Sequence, residues 1–551
     1  MPIQTTTPSA SDLVLAADEV LAGLTARPLG EVSASEYETG RVITLAPWMS
    51  NLGGRLGFLL GSQHADGTWG APNGYDLIPT LSAAEALLTV LRRWESRSLP
   101  DATGVDPGKL AAAAGRALAA LRTRLRQGRS AGLPDTVAAE LITPALVAEV
   151  NGHLDRLVRE PVAGLDAWGA GFRLDLPADA DAETLARVRA HLRAGGDVPF
   201  KLWHSLEVMG DLARAAASVR TMADAVGCTP AATAAWLGER PDAERFSHAM
   251  AYLEDTAAGH GGAVPTILPV TFFERIWTIN ILIGAGIDAH VPPSIVEELE
   301  RLLDAGPLPG APGLPPEADT TSTGLATLAR LGRMRKPDLL WEFEEGDHFC
   351  CYLGGERTPS ETTNAHILEA FGEYVDRNPE HAGRYRNAMG KIVRWLAGVQ
   401  HQDGFWTDKW HASPYYATYH CATALDLMAD AEAENAVRRA VEWTVATQND
   451  DGSWGIWGGT GEETAYAVHI LLHTRPGQAD PRARHAATRG GHFLRGQNRN
   501  QYTPMWHGKD VYSPIAVCRA APVAALYLTR AHAEGSLAAR RPWRVPAGNR
   551  R

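Results

Sequence analysis

The apolar and polar positions of this chain group into long helix-like stretches rich in Ala, Leu, Arg and Glu, clearest at 108–127, 180–195 and 294–304. Gly- and Pro-rich segments interrupt them, and the two-residue alternation of a half-buried strand is scarce. The pattern predicts an all-α protein. The segment 305–316, Ala-Gly-Pro-Leu-Pro-Gly-Ala-Pro-Gly-Leu-Pro-Pro, predicts an irregular loop that delivers the chain into an acidic motif. The closing run from Arg540, Arg-Arg-Pro-Trp-Arg-Val-Pro, predicts a loose basic tail.

A repeat overlies the helical pattern. Gln-x-x-Asp-Gly-x-Trp occurs as Gln63-His-Ala-Asp66-Gly67-Thr-Trp69, Gln400-His-Gln-Asp403-Gly404-Phe-Trp406 and Gln448-Asn-Asp-Asp451-Gly452-Ser-Trp454. A decayed copy lies at Phe493–Gln497, with Trp506 nearby. The later copies are spaced by about one helical hairpin, the signature of a helical array. Asp-Gly supplies a turn, while Gln and Trp tie one helix end to the next. These motifs define architecture and perform no chemistry.

At 551 residues, 45% hydrophobic and 21% charged, the chain is long enough for two or three domains with cores of their own. A net charge of −12 argues against a nucleic-acid surface, which needs a basic stripe. Five cysteines with no CxxC pair make neither a disulfide framework nor a structural zinc site, and they fit a reducing compartment. The start, Met-Pro-Ile-Gln, has no basic and apolar leader, and no apolar run approaches the roughly 20 residues that span a bilayer. The expected setting is the cytoplasm, with no integral membrane segment.

The acidic motif is Pro-Pro-Glu-Ala-Asp-Thr-Thr-Ser-Thr-Gly at 315–324, just before an apolar, helix-like run. Taken alone, its acids and hydroxyls describe the start of a helix. Its neighbours change the picture. Ser33-Ala-Ser-Glu-Tyr37-Glu-Thr39, Glu140-Leu-Ile-Thr-Pro144, Leu202-Trp-His204-Ser-Leu-Glu, Gly262-Ala-Val-Pro265-Thr266-Ile-Leu-Pro269-Val, Phe273-Glu-Arg-Ile-Trp277 and Glu345-Gly-Asp-His-Phe349 occur in that order. In these segments the chain resembles the class II terpene cyclases of the copalyl diphosphate synthase group, relatives of the squalene–hopene cyclases. The resemblance covers most of the chain. It implies two α/α barrel domains, one from 1–48 plus 294–551 and an inserted one from 49–293, with the active site between them.

The resemblance also implies the chemistry. Its acidic motif is Asp-x-Asp-Asp, and the middle aspartate, here Asp319, donates a proton to a carbon–carbon double bond. An ordinary aspartic acid, with a pKa of about 3.9, is ionised at neutral pH, so such an acid must be held protonated by burial and neighbours. Glu317 replaces the first Asp and Thr320 the last. Asn364 matches an asparagine that contacts the acid. His204 matches a histidine that terminates the reaction, whereas Thr266 stands where its asparagine partner would be. Cations formed in between are stabilised by aromatic faces, by up to ~2 kcal/mol when desolvated. Trp203, Trp277, Trp410 and Tyr415 are candidate walls, with Trp341, Phe349, Tyr352 and Tyr416 near them.

No Asp-Asp-x-x-Asp is present, so the diphosphate is expected to stay on the product. The resemblance implies Mg²⁺, with Asp135 and Glu140 as candidate ligands in an acid-poor loop, and Lys201 and Lys409 as candidate phosphate contacts. The expected substrate is a linear prenyl diphosphate. Farnesyl diphosphate would give a drimenyl-type product; geranylgeranyl diphosphate would give a labdane, halimane or copalyl type. Trp203 beside His204 tilts the expectation to the shorter chain by narrowing the cavity. A squalene-type cyclase and a non-catalytic helical-barrel binding protein are the competing readings, and a homodimer is compatible with all three.

Overall fold

The structure is a computed structural model that describes residues 8–96, 104–127, 132–497, 501–537 and 543. Among these, helices dominate, and the strands form two short antiparallel ladders. Ala34–Ser35 pairs with Val264–Pro265, and Trp506–His507 pairs with Val511–Tyr512. The three long stretches expected to be helical fold as Pro107–Gln127, Ala182–Arg193 and Pro293–Ala305. Segment 306–317 is irregular, as its prolines and glycines require.

Hydrophobic burial produces two large cores and a small third one. The largest gathers Leu13–Leu24 with side chains from Ile267 through Leu528, and the second runs from Tyr37 to Ala235. The small cluster, including Val42, Met49, Leu253 and Val264, lies alongside. Helix Glu36–Leu45 packs on Leu77–Glu95, whereas Thr271–Gly284 packs on Ala318–Arg330 and Ile515–Ala533.

The repeats form three equivalent staples. Trp69, Trp406 and Trp454 donate their indole N–H groups to Leu59, Leu396 and Thr444, each ten residues upstream, at 2.7–2.8 Å. Gln63, Gln400 and Gln448 each bridge two carbonyls, one inside the motif and one on a later helix beyond the next, Ala113, Ala436 or Ala486. The decayed fourth copy breaks the rule: Trp506 sits on a strand and donates to Glu462 at 2.8 Å. Of the expected loose tail, only Trp543 is described, and it is buried with its backbone N–H on the Leu427 carbonyl at 3.0 Å. Arg540, Arg541, Pro542 and 544–551 lie outside the described residues.

Gly404 adopts φ +103°, and a Cβ there would strike the Arg439 carbonyl. Gly404→Ala is expected to lower stability by about 1–3 kcal/mol. Denaturant unfolding checks this, and an unchanged midpoint contradicts the close-packed staple.

Candidate active site

One cavity of about 250 Å³ brings the acidic motif together with the segment around residues 506–512. Asp319 stands in the first turn of helix Ala318–Arg330, preceded by Glu317 in extended conformation. Both carboxyl groups line the cavity and are buried. Trp277, Phe273, Tyr416, Trp506 and Tyr512 supply an aromatic wall. Trp277 donates its N–H to the Tyr416 hydroxyl at 2.9 Å, which fixes both rings.

Asp319 is held by a histidine that sequence reasoning missed. His366 Nδ1 lies 2.7 Å from Asp319 Oδ1, and His366 Nε2 lies 2.9 Å from His420 Nδ1. Burial opposes charge on His366, but the Asp319 charge and hydrogen bond overcome it and raise its pKa above the ordinary value. Burial and the neighbouring His366 push His420 well down, so His420 is the neutral acceptor. A cationic His366 thus donates from both nitrogens, one proton to a carboxyl and one to an imidazole.

Glu317 has its pKa raised to about 7, first by burial and then by the charge of Asp319. Thr320 donates its hydroxyl to Glu317 and does not line the cavity. His204 lines the cavity. Its Nδ1 is 2.7 Å from the Gly227 carbonyl, which only accepts, so Nδ1 carries the hydrogen and Nε2 keeps a lone pair. Burial first, and Lys509 second, push its pKa down to about 4. His507 is a further neutral imidazole of the wall, held through Nδ1 on the Lys409 carbonyl at 2.8 Å, and burial pushes its pKa down to about 4.

Trp410 and Lys201 are in the lining as expected, Lys201 being exposed at the opening. Other expected positions lie away from the cavity or the acid. Asn364 does not touch Asp319; it clips the Phe349 backbone through N–H and C=O bonds of 2.9 and 3.0 Å. Positions 364 and 366 are about 200° apart around a helix, so only one can face the acid. Trp203 packs into the second core, with its N–H on the Val198 carbonyl at 3.2 Å, and does not narrow the cavity. Tyr415 packs on Trp443, ring centroids 4.6 Å apart, and its neighbour Tyr416 takes the wall position. Thr266 is buried against Gly508 rather than lining the cavity. Lys409 is engaged by Glu356 and the Thr358 carbonyl, each at 3.0 Å.

The expected Mg²⁺ is overturned. Asp135 and Glu140 both turn to the Arg357 guanidinium. Among the described residues no group of three or more His, Cys, Asp or Glu side chains is arranged to hold a metal ion. Of the loop expected to carry the metal, 128–131 lie outside the described residues. No helix among the described residues is long and apolar enough to cross a membrane.

A buried carboxyl pair in an aromatic cavity, backed by a histidine, fits an enzyme that protonates an apolar substrate, and known proteins agree. Residues 357–494 match the family described as the squalene-hopene cyclase C-terminal domain. The chain is 41% identical to the ent-copalyl diphosphate synthase of Streptomyces sp. (strain KO-3988), covering 95% of this chain and 98% of that protein. It is 37% identical to the labda-7,13-dienyl diphosphate synthase of Streptomyces clavuligerus, over 94% of each chain. The solved structure of ent-copalyl diphosphate synthase from Streptomyces platensis superposes with a TM-score of 0.88 at 42% identity, covering 94% of this chain and 99% of that one. The chain belongs to the class II terpene cyclases, the family that includes the copalyl diphosphate synthases.

Glu317 binds its proton more tightly when folded, at about 7, than at the ordinary 4.5. Between those values the folded state holds more protons, so stability falls as pH rises through the interval. Glu317→Gln removes that loss. The variant is expected to exceed its parent at pH 8 by on the order of 3 kcal/mol, with no difference below about pH 4. Unfolding at both pH values checks it, and a pH-independent difference contradicts it.

Proposed function

We propose that this enzyme cyclises geranylgeranyl diphosphate to a bicyclic diphosphate, with Asp319 as the general acid. The observation that carries the proposal is the Asp319–His366 hydrogen bond at 2.7 Å, on the wall of an aromatic cavity. His366 engages Oδ1, which leaves Oδ2 to carry the acid proton. As that proton passes to the terminal alkene carbon, the carboxylate left behind is met by the His366 ring 2.7 Å away, which stabilises the charge as it forms. The resulting tertiary cation is attacked by the internal double bonds in turn, closing two rings. Loss of a carbon-bound proton to His204 Nε2 then restores a double bond.

Glu317 shares the wall, and its raised pKa keeps a second negative charge away from Asp319 below neutral pH. Lys201 at the opening is suited to the diphosphate, which remains on the product. The longer substrate is favoured by the names of the relatives, copalyl and labdadienyl diphosphate synthases, whose products carry twenty carbons. Trp203, which would favour the shorter one by narrowing the cavity, lies in the second core. The division of domains that accompanies this reading joins 10–26 to 267–537 and groups 34–264 separately.

The purified protein is to be given farnesyl and geranylgeranyl diphosphates, followed by phosphatase and mass analysis. The expected result is a bicyclic C20 alcohol. Asp319→Asn and His366→Phe are expected to lower turnover by about 100-fold or more. Selective consumption of the C15 substrate contradicts the chain length, and bicycles from Asp319→Asn contradict the acid.

A further inference from the structure

Glu462 is a buried carboxylate that the proposed reaction does not use. It occupies the first turn of helix Gly461–His473, where the helix dipole favours negative charge. Its Oε1 accepts from Trp506 Nε1 at 2.8 Å and from the Tyr466 hydroxyl at 2.9 Å. Cys518 Sγ lies 3.3 Å from Oε2. His411 Nε2 is 3.6 Å from Oε1. The Ser413 N–H donates to His411 Nδ1 at 3.0 Å, so the ring turns its Nε2 hydrogen toward Glu462.

Among the described residues no lysine or arginine forms an ion pair with Glu462. On its far side the carboxylate borders a separate cavity of about 320 Å³, shared with Thr460, Gln497 and Arg519. Burial alone would raise its pKa, but His411, Trp506 and Tyr466 together hold it below the ordinary carboxylate value. A buried carboxylate without a lysine or arginine partner is costly. Its shortest hydrogen bond comes from an indole that lines the reaction cavity, and that indole packs on two other wall residues, Tyr416 at 4.7 Å and Phe273 at 5.1 Å between ring centroids.

We propose that Glu462 is a positioning residue for the cationic stage of the reaction: it fixes Trp506 and sets a negative charge behind the indole, so that this ring holds a carbocation more strongly. The proposal rests on the reaction described above and adds to it a charged group outside the cavity. An N–H···carboxylate bond pushes electron density into the indole, and a fixed charge one ring-width from a cation acts through a poorly screened interior. The charge is also kept from the cation itself by the ring, which prevents capture or early deprotonation.

Glu462→Gln keeps the shape and an acceptor but removes the charge. Its kcat is expected to fall about tenfold with KM within twofold, and incompletely cyclised products are expected to increase. Trp506→Phe keeps a ring without the N–H and is expected to lose about tenfold by itself. In the Trp506→Phe background, Glu462→Gln is expected to change kcat less than twofold. An unaltered kcat and product profile in Glu462→Gln overturns the proposal, as does an equal loss in both backgrounds, which marks a purely structural role. Should Glu462→Gln fail to fold, unchanged turnover and products in Trp506→Phe overturn it. Failure of the underlying reaction is seen separately, as absence of bicyclic product from the parent enzyme.

Discussion

Asp319 and His366 meet 2.7 Å apart in an interior where both side chains are almost wholly out of water. A pair in that position tolerates little rearrangement, because removing one partner leaves the other buried and unsatisfied. The surrounding structure is arranged to hold the geometry. His366 is tied through its second nitrogen to His420, and His420 is boxed by Tyr416 and Tyr419, ring centroids 4.6 and 4.5 Å away. Trp277 stands perpendicular to the His366 ring at 5.5 Å and is itself bonded to Tyr416. The rings beside the acid pair therefore also belong to the cavity wall, and their positions cannot be set independently of it.

The hairpin Trp506–Tyr512 connects this arrangement to the second core. Its flanks contribute Trp506, His507, Gly508 and Tyr512 to the cavity. Its tip inserts Lys509, fully buried, between Glu38 at 2.5 Å and Glu207 at 2.7 Å. Glu207 is three residues from His204 in the same short helical segment, and it accepts the Tyr37 hydroxyl at 2.7 Å. Asp510 adds a 2.6 Å bond from Ser35. A lysine with two carboxylates is satisfied only if all three elements are docked. Gly508 fits because a Cβ there would crowd Thr266. Docking of the hairpin thus sets the wall of the cavity and the electrostatic surroundings of His204 together.

What the sequence revealed was local, and what it hid was relational. The staples were readable because Gln, Gly and Trp within seven residues make most of their bonds to nearby backbone. Asp319 was readable because an acid at the start of an apolar helix stands out in one short motif. His366 was not, since its partner is 47 residues away and its role depends on how helix Glu361–Arg377 is rotated. Backbone rotation likewise separates Tyr415 from Tyr416 on Pro414–Asp426, and Trp203 from His204. In each pair one residue lines the cavity and its neighbour packs away from it. Resemblance carried a metal into the expectation, and the side chains at Asp135 and Glu140 spend their charge on Arg357 instead.

Glu317 shows how a departure from the expected acidic motif can still serve it. An aspartate at this position would be one methylene shorter. The longer chain lets one carboxyl accept from Thr320 while its other oxygen lies 3.7 Å from Cys351 Sγ. Two carboxyl groups two residues apart on one wall repel when both are ionised, and burial amplifies the repulsion. Raising one of them to about 7 resolves the conflict without a cation in the cavity. A lysine placed there would have neutralised the acids equally well, but it would also have repelled the carbocation that the aromatic wall is built to hold. Neutralising Glu317 by protonation satisfies the acids and the cation at once, and the lysine that does line the cavity, Lys201, is exposed rather than beside the acids.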